Sequence, residues 1–128
     1  MAAEVGLSAS ACHRRIKALE EAGIIQSYRA VIDARSLGLP MTFFIEVVLA
    51  SQTEAALDAF EASVANVPEI LECHLMAGDA DYLLRVACQD SEDFERIHRR
   101  IVSKLPKLAR VRSIMSIRTV KFLKGIPI

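Results

Sequence analysis

The chain has 128 residues, 52% of them apolar, and its sixteen Lys and Arg balance sixteen Asp and Glu to a formal charge of zero. That length suits one ordinary domain or one core with a small appendage, and so apolar a composition excludes a disordered chain. No uncharged apolar run reaches the roughly 18 residues of a spanning helix, no secretory pattern opens the chain, and Cys12, Cys73 and Cys88 form no disulfide framework, so the expectation is a cytoplasmic protein with reduced thiols and no membrane partner.

In chain order, Met1 to Val5 read as a last helical turn, with Gly6 as its stop. Ser8 stands where an N-cap belongs, and Gly23 where a helix closes. Between them Cys12, Ile16 and Leu19 recur at helical spacing, with Ser10, His13, Arg14 and Lys17 opposite. Glu20 and Glu21 lie one turn beyond the bases, at distances that allow ion pairs. Residues 24–33, IIQSYRAVID, predict a strand by their β-branched and aromatic content. Residues 34–40 hold Gly38 and Pro40 and read as a linker, with a domain boundary near Leu39.

A regular alternation follows. Residues 41–50 predict a strand apolar on both faces, Phe43, Ile45, Val47 and Leu49 on one and Phe44 and Val48 on the other. Thr53 caps a helix from Glu54 to about Val67, which Pro68 ends. Strand 70–76, a turn at Gly78-Asp79-Ala80-Asp81 and strand 82–88 make a hairpin. Asp90 or Ser91 caps a helix over 92–105 with Phe94, Ile97, Ile101 and Leu105 on its stripe, and Pro106 ends it. The last strand is expected from about Arg110 to Phe122. The order β-α-β-β-α-β is the split βαβ of ferredoxin-like domains, so the fold class is α+β. Both helices then cover one sheet face. Burying the other calls for a second subunit packed sheet to sheet, which predicts at least a homodimer.

The neutral total conceals a segregation. Residues 1–36 carry a net +1, residues 37–95 a net −11 with Arg85 the one base, and residues 96–128 a net +10 with no acid. Such asymmetry fits either a nucleic-acid surface or pairing between the blocks, and pairing is favoured for the C-terminal third.

Four segments carry a family pattern. VGLSASACHRRIKALEEAGII resembles the second and third helices of the Lrp/AsnC (feast/famine) transcription regulators, and YRAVIDARSLG their hinge strand and linker. PEILECHLMAGDADYLLRV resembles the hallmark of their ligand-binding RAM domain, and TVKFLKGIPI their closing segment. The resemblance implies a partial helix-turn-helix with its hinge over residues 1–33, the linker 34–40, and an effector-binding and oligomerisation domain over 41–128. The family has a further helix, and most of a second, ahead of the position of Met1, so the chain reads as truncated relative to the family. It implies operator DNA as a partner, homodimers assembling into tetramers or octamers, and a small-molecule effector, an amino acid by expectation, with no cofactor.

Two candidate sites emerge. On the first helix Ser8, Ser10, His13, Arg14, Arg15 and Lys17 have the chemistry of base and phosphate contacts, although spacing alone favours a solvated basic face. In the turn Met76-Ala77-Gly78-Asp79-Ala80-Asp81-Tyr82, Gly78 permits close backbone approach to a carboxylate and Asp79 or Asp81 suits an ammonium group; composition alone favours a plain hairpin turn. The resemblance makes Met76, Ala77, Gly78, Asp79, Asp81 and Tyr82 the lining of an effector pocket between dimers, with Ser113 contributing from the last strand. No nucleophile elbow, phosphate loop, dinucleotide fingerprint or metal-ligand spacing occurs, so neither catalytic nor metal-binding residues are expected. The other readings are an effector-binding module that no longer binds DNA and, from another class, a small dimeric ferredoxin-like enzyme.

Overall fold

The computed structural model describes residues 8–123 and 125–126. The turn expected over Met1–Val5, its stop at Gly6, and Lys124, Pro127 and Ile128 of the closing segment lie outside the described residues. The chain divides after Ile32 into two units, Met1–Ile32 and Asp33–Ile128.

In the first unit, α1 spans Ala9–Glu21. Ser8 caps it, its Oγ accepting from the Ala11 N–H at 3.2 Å, a contact worth about 1 kcal/mol in such positions. The helix closes in a Schellman motif. Gly23 takes φ +76°, a left-handed conformation that favours glycine, so its N–H reaches the Glu20 carbonyl at 3.0 Å and that of Ile24 reaches Leu19 at 2.9 Å. Cys12 is buried and Ile16 half-buried, whereas Leu19 is exposed.

Beyond the helix the structure corrects the expected strand. Residues 24–33 form no strand. Their side chains favour extended backbone, but a strand also needs a paired neighbour, and none exists among the described residues of this unit. Ile24, Tyr28, Val31 and Ile32 stand exposed, Val31 at 86%. The Tyr28 hydroxyl donates to Glu20, and that bond holds the phenol above its ordinary pKa. The pairs expected between Lys17 and Glu20 or Glu21 do not form.

The second unit opens with a 3-10 turn, Arg35–Leu37. It continues through β1 (Met41–Leu49), α2 (Glu54–Val64), β2 (Ile70–Leu75), β3 (Tyr82–Cys88), α3 (Ser91–Lys104) and β4 (Leu108–Ser116). The sheet order is β2-β3-β1-β4 and every neighbouring pair is antiparallel, the ferredoxin-like arrangement expected. Ile45, Val47 and Leu49 of β1 and Tyr82, Leu84 and Val86 of β3 point to one face. There they pack with Leu57, Phe60 and Val64 of α2 and Phe94, Ile97 and Ile101 of α3, so both helices lie on that face.

Two boundaries differ from expectation. The second helix ends at Val64, and the N–H groups of Asn66 and Val67 make tighter bonds to Ser63 and Val64, because the residue before Pro68 is steered away from helical backbone. The last strand ends at Ser116, far short of Phe122. Ser116 pairs with Thr42 at the start of β1, and past that point there is no strand among the described residues to pair with. It starts two residues early, at Leu108, because a bulge at Val48/Leu49 brings Leu108 opposite Leu49.

The opposite sheet face carries Phe44 and Val48, both half-buried, with Leu83, Arg85, Arg112 and Ile114. The chain beyond β4 returns over it, the Phe122 ring lying 5.9 Å from the Arg85 guanidinium. The acidic and basic blocks do meet within the unit. Glu69, before β2, receives Arg100 at 3.2 Å and Arg96 at 3.7 Å, and Glu46 faces Arg112 at 3.9 Å.

Asp90 caps α3, its Oδ1 accepting from the Asp93 N–H at 2.8 Å. Asp93 in turn accepts from the Gln89 N–H and from Arg96, which holds its carboxyl below the usual carboxylate range. A group lowered on folding contributes stability above its unfolded pKa and loses it as the pH falls through the folded value. Asp93→Asn is therefore expected to flatten the acid limb of the unfolding free energy below about pH 4, measured by urea titration at stepped pH.

Candidate functional site

On α1, with about 100° per residue, Ser10, His13, Arg14 and Lys17 share roughly a third of the circumference, and all four are exposed. Cys12, Ile16 and Leu19 point the other way. Arg15 does not join the set. It projects on the flank of the apolar stripe, about 150° from the centre of the polar arc, though it too is exposed. Ser8 stays at the helix start, where its hydroxyl proton is free while the oxygen caps Ala11. Among the described residues Arg14, Arg15 and Lys17 have no acidic partner. This is a cationic surface whose guanidinium and ammonium groups are open to phosphate or guanine.

The turn in the second unit is built from its base. The Met76 N–H donates to the Asp81 carbonyl at 2.8 Å, closing the neck, and the Asp81 N–H donates to the Val47 carbonyl at 2.9 Å. The Asp81 carboxylate accepts from the Leu49 N–H at 2.8 Å and from Gln52 Nε2 at 3.2 Å. Above this base Met76, Ala77, Gly78 and Asp79 are exposed, and Gly78 takes φ +149°, a backbone that L side chains rarely adopt. Asp79 has no partner among the described residues.

Two expectations for this site change, those for Asp81 and Tyr82. Asp81 fastens the turn, so its carboxylate is already engaged and the open acid is Asp79. Tyr82 is a core residue. The residue is 1% exposed, its ring stacks on Phe60 at 4.3 Å between centroids, and its hydroxyl donates to Glu61. Burial, with the bond to Glu61, pushes that phenol's pKa far up. Ser113, exposed on β4, pairs with Ile45 of β1, and β1 lies between β4 and the β2–β3 hairpin, so within one chain Ser113 and the turn stand apart. Sequence reading missed Gln52 altogether, since its contact lies 29 positions away and its neighbours Ser51 and Thr53 suggest only a polar loop.

The remaining reactive groups are dispersed. Among the described residues no three His, Cys, Asp or Glu gather as metal ligands. Cys73 and Cys88 are free thiols that face the core, and burial raises both. His74 sits exposed opposite Leu83.

Residues 42–126 match the family model of the Lrp/AsnC ligand binding domain. The chain belongs to the Lrp/AsnC family. Residues 1–26 match a winged helix-turn-helix DNA-binding model, which contains α1. A helix-turn-helix-type transcriptional regulator of Sinorhizobium fredii is 49% identical over 117 residues, covering 91% of this chain and 92% of its own. An AsnC family transcriptional regulator from Agrobacterium tumefaciens superposes with a TM-score of 0.91 at 32% identity, over 98% of this chain and 82% of that one. A Neisseria meningitidis transcriptional regulator solved as its L-Met complex does so with 0.89 at 31% identity, over 98% and 81%. This Lrp/AsnC protein is thus a DNA-binding transcriptional regulator, with a helix-turn-helix unit and a ligand-binding domain.

Proposed function

We propose that this regulator reads operator DNA through Ser8, Ser10, His13, Arg14 and Lys17, and that it answers to a free amino acid held at the Met76–Asp79 turn. The second unit assembles into homodimers and higher oligomers, and the protein works in the cytoplasm as a regulator, not as an enzyme. The observation that carries the effector reading is the turn itself. Gly78 is exposed at φ +149°, where a ligand's carboxylate can approach backbone N–H groups, and the open Asp79 carboxylate beside it suits an α-ammonium group. The L-Met bound by the Neisseria relative supports this class of ligand.

Assembly follows from what one chain leaves open. Ser113 and the turn are apart, so a pocket that uses both draws them from two copies. The sheet face bearing Phe44, Val48 and Ile114, and the unpaired residues 24–32, are apolar surfaces that a second copy would cover. A ligand between copies acts by preferring one assembly over another, since only unequal affinity shifts an equilibrium.

Calorimetry of the full chain with the twenty L-amino acids, L-methionine first, tests this. At least one is expected to bind saturably, with Asp79→Ala weakening it about ten- to a hundredfold, the worth of a charged hydrogen bond. Gly78→Val should abolish binding, because the β-branched residue cannot hold that backbone. A wild-type chain that binds none of the twenty sinks the effector reading, and an undisturbed Asp79→Ala sinks the placement. Light scattering that finds a monomer at micromolar concentration sinks the assembly.

A further inference from the structure

We infer that Gln52 is a positioning residue for the effector turn: its side-chain amide fixes the Asp81 carboxylate, and through it holds Met76–Asp79 in the shape that receives the ligand. This rests on the effector reading above and names a residue outside the turn on which that site depends.

The geometry is a three-way clamp. Gln52 lies on the short connection between β1 and α2. Its Nε2 donates at 2.7 Å to the carbonyl of Leu49, the last residue of β1, and at 3.2 Å to Asp81 Oδ2, so one amide group uses both its hydrogens. The Leu49 N–H donates to the same Oδ2 at 2.8 Å. No cation pairs with Asp81 among the described residues. Among the described residues, the carboxylate of this half-buried side chain accepts from those two N–H donors alone.

The turn has little else to hold it. Apart from the Met76–Asp81 and Asp81–Val47 backbone bonds, its anchorage is this carboxylate. Removing Gln52 leaves Oδ2 one donor, lets the carboxylate turn to water, and frees the turn to sample shapes that the ligand must then select against. The fold itself does not need Gln52. Its side chain is exposed, and α2 is capped separately by Thr53 Oγ1 accepting from the Ala56 N–H at 3.2 Å.

The test compares the wild-type chain with Gln52→Met, which keeps the length and removes both donors, and Gln52→Glu, which sets a second carboxyl against Asp81. Binding is measured by calorimetry with L-methionine, or the tightest binder of the twenty, and amide exchange is measured without ligand. For Gln52→Met the expected results are about tenfold weaker binding, faster exchange of the Leu49 N–H, and an unchanged melting temperature. Gln52→Glu should bind more weakly still at pH 7.5. Its deficit relative to wild type should shrink towards pH 5, where the introduced carboxyl takes up a proton and can donate to Asp81. A merely structural role would not produce that pH profile. Wild-type affinity in both variants overturns the positioning role. Unchanged Leu49 exchange in Gln52→Met overturns the clamp itself, whatever the ligand. A wild-type chain that binds no amino acid, with Leu49 exchange still raised in Gln52→Met, overturns the effector reading and the positioning role but not the clamp.

Discussion

Phe60→Ala is expected to destabilise the second unit by about 3–5 kcal/mol, the usual cost of removing a fully buried phenylalanine ring. Phe60 is fully buried on α2 and stacks on Tyr82, the first residue of β3, while Glu61 beside it takes the Tyr82 hydroxyl. Truncating the ring therefore opens a cavity and strips the packing from the residue that follows the turn. Domains of this size are stable by roughly 5–15 kcal/mol, so the loss is a large fraction of the whole. Urea unfolding followed by far-ultraviolet circular dichroism should show it as a lowered midpoint with an unchanged slope, and the melting temperature should fall by more than about 10 °C. A loss below about 1 kcal/mol would show that the core is not centred on this stack.

The second large effect concerns α1. Arg14→Ala with Lys17→Ala is expected to weaken operator binding by a hundredfold or more in an assembly that uses two such helices. A base-edge pair is worth about 1–3 kcal/mol, and every phosphate left without its cation keeps the counterions that binding would otherwise release. The measurement is fluorescence anisotropy with the DNA upstream of the gene, titrated at several salt concentrations. The slope of log affinity against log salt should become shallower by about one for each phosphate that the variant no longer neutralises. Arg15→Ala, on the flank of the apolar stripe, should change specificity little. Unaltered affinity and slope in the double variant would overturn the role of this helix face. An Arg15→Ala effect as large as that of the double variant would overturn the assignment of the polar arc.

Much of the fold was legible because local chemistry wrote it. Ser8 and Gly23 bracket α1 where a hydroxyl and a left-handed residue are needed. Pro68 and Pro106 stop helices, and the alternation of Ile45, Val47 and Leu49 marks the core face of β1. What sequence alone misread depends on pairing at a distance. Residues 24–33 have strand chemistry without a strand beside them, and β4 stops at Ser116 because β1 begins near Thr42, a fact written some seventy positions earlier. The candidate turn shows the same division. Gly78 was readable from composition. That Asp81 is engaged, that Tyr82 turns into the core and that Gln52 reaches the turn are set by β1 and α2, so nothing next to them in the sequence announces it. The charge segregation was legible in amount, and its pairing through Glu69 became visible only once Arg96 and Arg100 stood on one helix face.

The division after Ile32 has a consequence for how such regulators change over generations. The bonds that shape α1, from its Ser8 cap to its close at Gly23, lie within the first unit, and those that shape the turn at Gly78 lie within the second. Under the proposed assignment of the two sites, substitutions that alter which metabolite is sensed can accumulate in the hairpin and its supports while α1 stays as it is, and the reverse holds equally. A duplicated copy could acquire a new signal under an old set of target genes, or carry an old signal to new ones, one unit at a time.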